Sequence, residues 1–163
     1  MTDKVHITLN VNGRNHAIRV EPRKTLVDAI REDCGQTGTH IGCEHGVCGT
    51  CTVILDNDAV RSCLMFAVQA QGKNIRTVEG LGTPDELHPL QRAFIAHHGL
   101  QCGFCTPGFL MLAVNALERR PDIGDEELIE LLSSNLCRCT GYQNIIKAVR
   151  AGRDEMRAAK AAG

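Results

Sequence analysis

The sequence predicts an α+β protein in which a strand-rich first part is followed by a helical second part. Apolar residues alternate along the first segments, as in strands with one buried face, whereas beyond residue 80 they recur at helical spacing. The chain also contains nine cysteines, and each part carries a group of four of them. We therefore expect two domains, over residues 1–80 and 81–163, each built around its own cysteine site.

Composition excludes several classes of protein. The 163 residues carry a formal net charge of −1, are 43% hydrophobic and 23% charged, and include 3% aromatic residues with no tryptophan. These values argue against the basic surface or aromatic platform that a nucleic-acid partner would need. No run of about eighteen apolar residues occurs, and the N-terminal segment lacks a signal-peptide core, so we expect a cytoplasmic protein without a membrane span.

The first part begins with a sequence pattern that is typical of a β-hairpin. The segment VHITLNV alternates apolar and polar residues, Asn12-Gly13 is a strong two-residue turn signal, and AIRV resumes the alternation. Thr25 and Asp28 then resemble a capping box that opens a short helix over TLVDAIRE. After a glycine-rich cysteine loop, the segments CTVIL and NIRTV predict two further strands.

Four helices are predicted after an acidic linker that contains Gly and Pro, at residues 80–88. The first, PLQRAFIAHHG, ends at Gly99, and the second, TPGFLMLAVNALERR, has Thr106 as its N-cap. GDEELIELLSSN gives the third, with acidic residues in its first turn, and QNIIKAVRAGRDEMRAAKAA gives the fourth. Together they predict a small four-helix bundle.

The first cysteine group has the spacing of an iron-sulfur site. Cys43, Cys48 and Cys51 follow a C-x4-C-x2-C pattern, and Cys63 comes after eleven further residues. This spacing, with a more distant fourth cysteine, is typical of plant-type [2Fe-2S] sites. The sequence therefore predicts a cluster held by these four thiolates.

Glycines in the same loop support a cluster. Gly42, Gly46 and Gly49 allow the loop to wrap closely, with backbone N–H groups turned toward sulfur. A structural zinc site is the alternative, but zinc usually takes short C-x2-C or histidine knuckles, and the four-residue gap favours a cluster. Cys43 and His45 form half of a Rieske-like C-x-H pattern whose second half is absent, so we expect His45 to be a loop residue.

The second cysteine group consists of two short pairs separated by 31 residues. Cys102 and Cys105 precede the second helix of the bundle, and Cys137 and Cys139 follow the third. Residues i and i+2 of a helix point about 200° apart, so the C-x-C pair predicts a turn over residues 136–140. A second [2Fe-2S] cluster would use all four thiols.

Two remaining residues are interpreted as packing. Cys34, at the end of the DAIRED segment, has no nearby cysteine to pair with in either group. Since free cysteine is among the most buried residue types, we expect a small buried side chain rather than a reactive thiol. The single tyrosine, Tyr142, is likewise expected to pack.

Four motifs together resemble the small iron-sulfur subunit of the molybdenum hydroxylases, the xanthine oxidase and carbon monoxide dehydrogenase family. GCEHGVCGTCTV, RSCL, QCGFCTPG and NLCRCTGY occur in that family's order, and the resemblance spans residues 5 to about 150. It implies a plant-ferredoxin-like β-grasp domain with one [2Fe-2S] cluster, followed by a four-helix-bundle domain with another. One departure is Ser134, where many relatives have Gly. The implied ligands are Cys43, Cys48, Cys51 and Cys63 in the first domain and Cys102, Cys105, Cys137 and Cys139 in the second.

The resemblance also implies partners and a direction of electron flow. A large subunit would hold molybdopterin beside the helical-domain cluster, where Gln101 and Cys139 would approach the pterin. A medium subunit would hold FAD near the β-grasp cluster, and the three subunits would form a dimer of heterotrimers. Substrate chemistry would then belong to the large subunit, while this chain passes electrons from it to the flavin or another acceptor.

Three functions follow from these patterns, and they differ in class. An electron-transfer subunit of a hydroxylase leads, a free two-cluster ferredoxin that shuttles electrons between enzymes is second, and a zinc-dependent structural module is third. The chain has no Ser-His-Asp order, P-loop or G-x-G-x-x-G, which argues against an active site of its own. Shuttle ferredoxins tend to be strongly acidic, and their gap before the fourth cysteine is longer than the one before Cys63, so a permanent subunit is favoured.

Overall fold

The chain folds into a strand-rich first part and a helical second part, so the predicted α+β class is confirmed. A computed structural model describes residues 3–162, and the predicted domain ends at residues 1 and 163 lie outside the described residues. The strands are β1 (Val5–Val11), β2 (Arg14–Val20), β3 (Thr52–Leu55), β4 (Asp58–Arg61) and β5 (Asn74–Arg76). The helices are α1 (Leu26–Asp28), α2 (Pro89–Ala96), α3 (Thr106–Arg119), α4 (Asp125–Ser133) and α5 (Gln143–Ala161).

The strands form one mixed sheet in the order β2-β1-β5-β3-β4. Strands β1 and β5 are parallel, and the other neighbouring pairs are antiparallel. The predicted hairpin joins β1 to β2 through Asn12 and Gly13, whose φ angles of 51° and 78° suit a type I′ turn. This mixed sheet, with α1 packed on it, confirms the β-grasp fold.

Helix α1 begins at a side-chain cap and continues as a π-helical turn over Ala29–Asp33. Thr25 Oγ1 accepts a hydrogen bond from the N–H of Asp28 at 3.2 Å, which satisfies one of the free donors at the helix start. Leu26 and Ile30 are fully buried in the core of the sheet part. The helix therefore covers the sheet just ahead of the first cysteine loop.

Cys34 also lies in the core of the sheet part, with 7% of its surface exposed. Burial and the nearby Asp33 carboxylate raise the pKa of its thiol to about 11, so the reactive thiolate is scarce at neutral pH. The predicted role as a small buried side chain is confirmed.

The sequence does not predict β4, although it predicts the partner strand β3. The four residues of β4, DAVR, carry two adjacent apolar side chains and no alternating pattern. The strand forms because a two-residue turn at Asp56 and Asn57 folds the chain back, so that Arg61 pairs with Thr52. This pairing returns the chain to the end of the cysteine loop.

The helical part contains the four predicted helices, but two of their ends differ. Helix α2 ends at Ala96 rather than Gly99. The Thr106 N-cap prediction is wrong, because Thr106 is the first helical residue and Cys105 occupies the cap position. The N–H of Thr106 already bonds to the Gly103 carbonyl at 3.1 Å, so the turn through the cysteines runs directly into α3. In the described part of the chain, no helix is both long and apolar enough to cross a membrane.

Helix α3 lies between the two parts. Its Gly108 packs so closely on the first cysteine loop that an added Cβ would overlap the Gly49 carbonyl. Ile54 of β3 belongs to the core of the helical part rather than to that of the sheet part. Asn115 Nδ2 extends the contact by donating to the Asn57 carbonyl at 2.8 Å. The two parts are therefore joined by packing as well as by the linker.

A pH-dependent cap is predicted at the start of α2. His88 Nδ1 accepts a hydrogen bond from the N–H of Leu90 at 3.2 Å, which only the neutral ring can do. Burial lowers the pKa of His88 below its ordinary 6.5 although the Glu118 carboxylate opposes the shift. The cap is therefore fully present above pH 6.5 and is lost as the pH falls through the folded-state pKa.

The matched variant is His88→Asn, which keeps a cap that does not titrate. We expect the wild type to lose about 1 kcal/mol of stability relative to His88→Asn across that acidic range. The measurement is the thermal midpoint of both proteins as a function of pH. Parallel pH profiles would contradict the assignment.

Candidate metal centres

The first cysteine group comes together where the cysteine loop meets the ends of β3 and β4. The N–H of Cys48 donates to the Cys43 sulfur at 3.4 Å, and the thiol of Cys51 lies close enough to that of Cys63 to raise its pKa. The β3–β4 hairpin places the second pair, because the hydroxyl of Ser62 donates to the Cys51 carbonyl at 2.6 Å. Cys51 and Cys63 are buried, whereas Cys43 and Cys48 are half-buried.

The two pairs of the first group have opposite electrostatic surroundings. Backbone N–H groups of Cys48 and His45 point at the Cys43 sulfur and lower the pKa of that thiol to about 6. Burial, together with the hydrogen bond to Cys51, raises the pKa of Cys63 to about 11. The loop thus stabilises negative charge on Cys43 with N–H groups, as a site for thiolates and sulfides requires.

Glycines make this loop possible, as the sequence predicts. A Cβ on Gly42 would lie 3.1 Å from the Cys48 sulfur, and Gly46, with φ of +81°, would place a Cβ 2.5 Å from the Leu64 side chain. Side chains at either position would therefore fill the space beside the cysteines or push Leu64 aside. The space beside the cysteines therefore fits a group that is held close to the backbone.

The second cysteine group also forms two pairs. The sulfurs of Cys102 and Cys139 lie 3.5 Å apart, and both residues are exposed. Cys105 and Cys137 are half-buried, and the Cys137 thiol lies close enough to Cys105 to raise its pKa. Residues 136–140 contain no regular helix, so the predicted turn is confirmed. It allows two cysteines one residue apart to reach opposite members of the Cys102-Cys105 pair.

The two half-buried cysteines of the second group, Cys105 and Cys137, have pKa values shifted in opposite directions. Burial and the hydrogen bond to Cys137 raise the pKa of Cys105 to about 12. Burial would also raise the pKa of Cys137, but hydrogen bonds from the Thr140 side chain and from the backbone of Thr140 and Cys139 outweigh it, and the net shift is downward. The Thr140 oxygen lies 3.1 Å from the Cys137 sulfur.

The donor set of both groups fits a [2Fe-2S] cluster. Such a cluster takes four cysteine thiolates, two at each iron, and each group here presents four thiols as two pairs. Within residues 3–162, no three His, Cys, Asp or Glu side chains converge on a site for a single ion. His45 is exposed in the loop and contributes its backbone rather than its ring, as the missing Rieske pattern predicts.

The two cysteine loops contact each other directly, which the sequence does not reveal. The N–H of Leu136 donates to the Cys48 carbonyl at 2.9 Å, one residue before Cys137. The Phe104 carbonyl, between the cysteines of QCGFC, accepts from Thr50 Oγ1 at 2.9 Å and lies 2.8 Å from His40 Nδ1. Because a carbonyl only accepts, that nitrogen of His40 carries the proton.

Tyr142 stabilises the turn that contains Cys137 and Cys139 through hydrogen bonds of its hydroxyl. Its hydroxyl accepts from the Cys137 N–H at 3.1 Å and donates to the Asn135 carbonyl at 3.2 Å. Its ring packs edge-on against Phe109, with 6.2 Å between ring centroids. The sequence predicts only the packing, although a partly buried tyrosine hydroxyl usually finds a partner, and that rule is the signal that could have revealed this role.

The other predicted site residues lie at the surface near the second group. Gln101 is exposed beside Cys102, and Cys139 is exposed as well.

Ser134 is accommodated at the end of α4, where Arg61 Nη2 donates to its carbonyl at 3.0 Å and reaches its hydroxyl at 3.3 Å. A serine at this position therefore adds a contact between the two parts of the chain.

Fold and sites together define a [2Fe-2S] protein with two cluster-binding units. Comparison with known families agrees: the chain matches the "2Fe-2S iron-sulfur cluster binding domain" over residues 9–76 and the "[2Fe-2S] binding domain" over residues 77–150. The chain belongs to the family of small iron-sulfur subunits of the molybdenum hydroxylases. The predicted family and its two [2Fe-2S] cofactors are confirmed.

Individual relatives are similar over nearly their whole length. The chain is 56% identical to the nicotine 6-hydroxylase small subunit of Paenarthrobacter nicotinovorans, over 91% of this chain and 89% of the relative. It is 54% identical to the caffeine dehydrogenase subunit gamma of Pseudomonas sp. (strain CBB1), over 88% of each. Among solved structures, a chain of quinoline 2-oxidoreductase from Pseudomonas putida 86 superposes with a TM-score of 0.90 at 48% identity, covering 96% of this chain and 98% of that one.

The contact between the loops makes Gly49 a testable position. Gly49 has φ of +72°, and an added Cβ would overlap the Asn135 amide, whereas Gly72 has φ of +77° with nothing within 4 Å. Alanine at either position carries a backbone strain of about 1–3 kcal/mol, but only Gly49→Ala also forces the loops apart. We expect Gly49→Ala to lose most of the first cluster and Gly72→Ala to keep it.

Iron content and the EPR spectrum of the reduced proteins distinguish the two variants. Equal cluster loss in both would show that strain alone, and not the contact between loops, limits the site.

Proposed function

We propose that this chain carries electrons inside a molybdenum hydroxylase complex, from the subunit that oxidises the substrate to an electron acceptor. The observation that carries the proposal is the hydrogen bond from the Leu136 N–H to the Cys48 carbonyl, which links the two cysteine sites through backbone. The relatives support it, since they are named as subunits of nicotine 6-hydroxylase and caffeine dehydrogenase.

The proposed ligands are the eight cysteines of the two groups. Clusters of this type take up and release electrons, with potentials set by hydrogen bonding and exposure. In the first site the ligands are Cys43, Cys48, Cys51 and Cys63. In the second they are Cys102, Cys105, Cys137 and Cys139.

Exposure suggests the order in which electrons pass. Cys102 and Cys139 are exposed and form the outer pair of the second site, beside Gln101. The inner pair contains Cys137, which follows Leu136 and its bond to the Cys48 carbonyl. Electrons would enter at the outer pair, cross the second site and reach the first through this backbone contact.

Partner surfaces are proposed at both ends of this route. Phe104 and Leu100 expose 48% and 39% of their surfaces beside the second site, and Val47 and Leu64 expose 58% and 63% beside the first. Apolar groups clustered at the surface commonly mark interfaces. We assign the first surface to the large molybdopterin subunit, with Gln101 and Cys139 toward the pterin, and the second to a medium FAD subunit.

The proposal extends to assembly and location. Substrate chemistry belongs to the large subunit, the complex is a dimer of heterotrimers, and it resides in the cytoplasm, where thiols stay reduced. A free shuttling ferredoxin is not favoured, because the relatives are named as subunits of larger enzymes and this chain exposes apolar side chains beside both sites.

Cluster content and a single ligand variant test the function. The wild-type complex should contain about four irons for each copy of this chain and give two distinct [2Fe-2S] EPR signals on reduction. Bound zinc without such signals would overturn the proposal.

Cys139→Ala removes one outer thiolate, so it should alter the second-site signal and slow turnover while the first-site signal survives.

The reverse pattern in Cys139→Ala, with the first-site signal lost and the second intact, would contradict the assignment of the two groups.

The partner surface at the first site predicts a second, independent result. Val47→Gln removes an apolar side chain from that surface. The control is Ile129→Gln, which replaces another β-branched apolar side chain, 37% exposed, on α4. We expect Val47→Gln to weaken association with the flavin subunit about tenfold, the loss typical of an apolar anchor, with both EPR signals unchanged. Binding is measured by titration of the purified subunits, and equal effects of the two variants would argue against this surface.

A further inference from the structure

Thr140 is placed to donate a hydrogen bond to a cluster sulfur. Its oxygen lies 3.1 Å from the sulfur of Cys137, and in a free thiol either atom could be the donor. A cysteine that ligates iron is a thiolate without a proton. Once Cys137 is a ligand, the Thr140 hydroxyl is therefore the only possible donor of this contact.

The Thr140 hydroxyl is also oriented by its neighbour. The backbone N–H of Tyr142 donates to the Thr140 oxygen at 3.1 Å, which occupies an acceptor position and leaves the hydroxyl hydrogen free for the sulfur. The Tyr142 hydroxyl meanwhile accepts from the Cys137 N–H at 3.1 Å. Tyr142 thus fixes both ends of the contact, the hydroxyl through its backbone and the cysteine through its side chain.

We infer that the Thr140 hydroxyl donates to the Cys137 sulfur in the cluster-loaded protein and thereby raises the reduction potential of the second-site cluster. A donor at a ligand sulfur stabilises negative charge, and the reduced cluster carries one more negative charge than the oxidised one. The inference rests on the proposed ligation by Cys137, and it assigns Thr140 as a positioning residue that tunes electron uptake.

The first site offers an internal reference for this effect. There the donors to Cys43 are backbone N–H groups of Cys48, His45 and Val47, which no side-chain substitution removes. In the second site a single side chain supplies one of the donors, so one substitution can take it away. A change at Thr140 should therefore move one potential and leave the other in place.

The test is a redox titration of the assembled complex in which the EPR signal of each cluster is measured at each potential. Thr140→Val removes the hydroxyl and keeps the branched shape, so the second-site potential should shift to a more negative value while the first-site potential stays. Thr140→Ser keeps the hydroxyl and should restore the wild-type value. An unshifted second-site potential in a fully loaded Thr140→Val complex overturns the inference.

Two further variants separate the hydroxyl from the shape of the turn. Tyr142→Phe keeps the backbone N–H that orients Thr140, so its shift should be much smaller than that of Thr140→Val; an equal shift would assign the effect to loosening of the turn. If Thr140→Val fails to hold its cluster, Thr140→Ala removes the hydroxyl with a smaller side chain that cannot ligate iron. Its second-site potential should then lie below that of Thr140→Ser, and equal values overturn the inference.

The same measurements distinguish this inference from the proposed function. Two [2Fe-2S] signals with unshifted potentials would remove only the role of Thr140. Absence of both signals from the wild-type complex would remove the function and this inference together.

Discussion

The hydrogen bond between the Leu136 N–H and the Cys48 carbonyl is the constraint around which the two halves of this protein are arranged. It joins two loops that belong to different folds, a β-grasp sheet and a helical bundle, at Cys48 itself and at the residue before Cys137. The close packing of Gly49 against Asn135 and of Gly108 against the Gly49 carbonyl leaves no room for larger residues there. Backbone, rather than long side chains, therefore sets the separation of the two sites.

Each site combines the same physical ingredients in a different structural setting. In the sheet part, a glycine-rich loop turns its N–H groups toward Cys43, and the β3–β4 hairpin supplies the fourth cysteine. In the helical part, two short cysteine pairs lie at helix ends. Thr140 contacts the Cys137 sulfur, and the Tyr142 hydroxyl accepts from the Cys137 N–H. In both, one sulfur is well supplied with hydrogen bonds and another is desolvated, so charge is distributed unevenly across each donor set.

Much of this arrangement could be predicted from local sequence. Cysteine spacing indicates the type of cluster, the Asn12-Gly13 turn indicates the hairpin, and helical periodicity indicates the bundle, because each depends on residues close in the chain. The contacts between loops could not be predicted in this way. Asn135 and Gly49 are 86 positions apart, and nothing in either segment alone requires them to meet.

Tertiary context also accounts for the features that local sequence predicts wrongly or does not predict. Strand β4 lacks an alternating pattern of its own and forms because β3 offers it a partner. Thr106 has the residue type of an N-cap, but its N–H already donates to the Gly103 carbonyl, so the helix includes Thr106 and the cap position falls on Cys105. In each case tertiary context overrides a correct local preference.

The position of the Phe104 carbonyl couples the folding of the two cysteine loops. That carbonyl belongs to the second cysteine loop, yet one of its hydrogen-bond donors, Thr50, lies within the first loop and the other, His40, lies just before it. Order in one loop therefore provides part of the scaffold for the other, and disorder in one leaves polar groups of the other without partners. The folding of the two loops is therefore coupled, and each loop loses hydrogen-bond partners when the other is disordered.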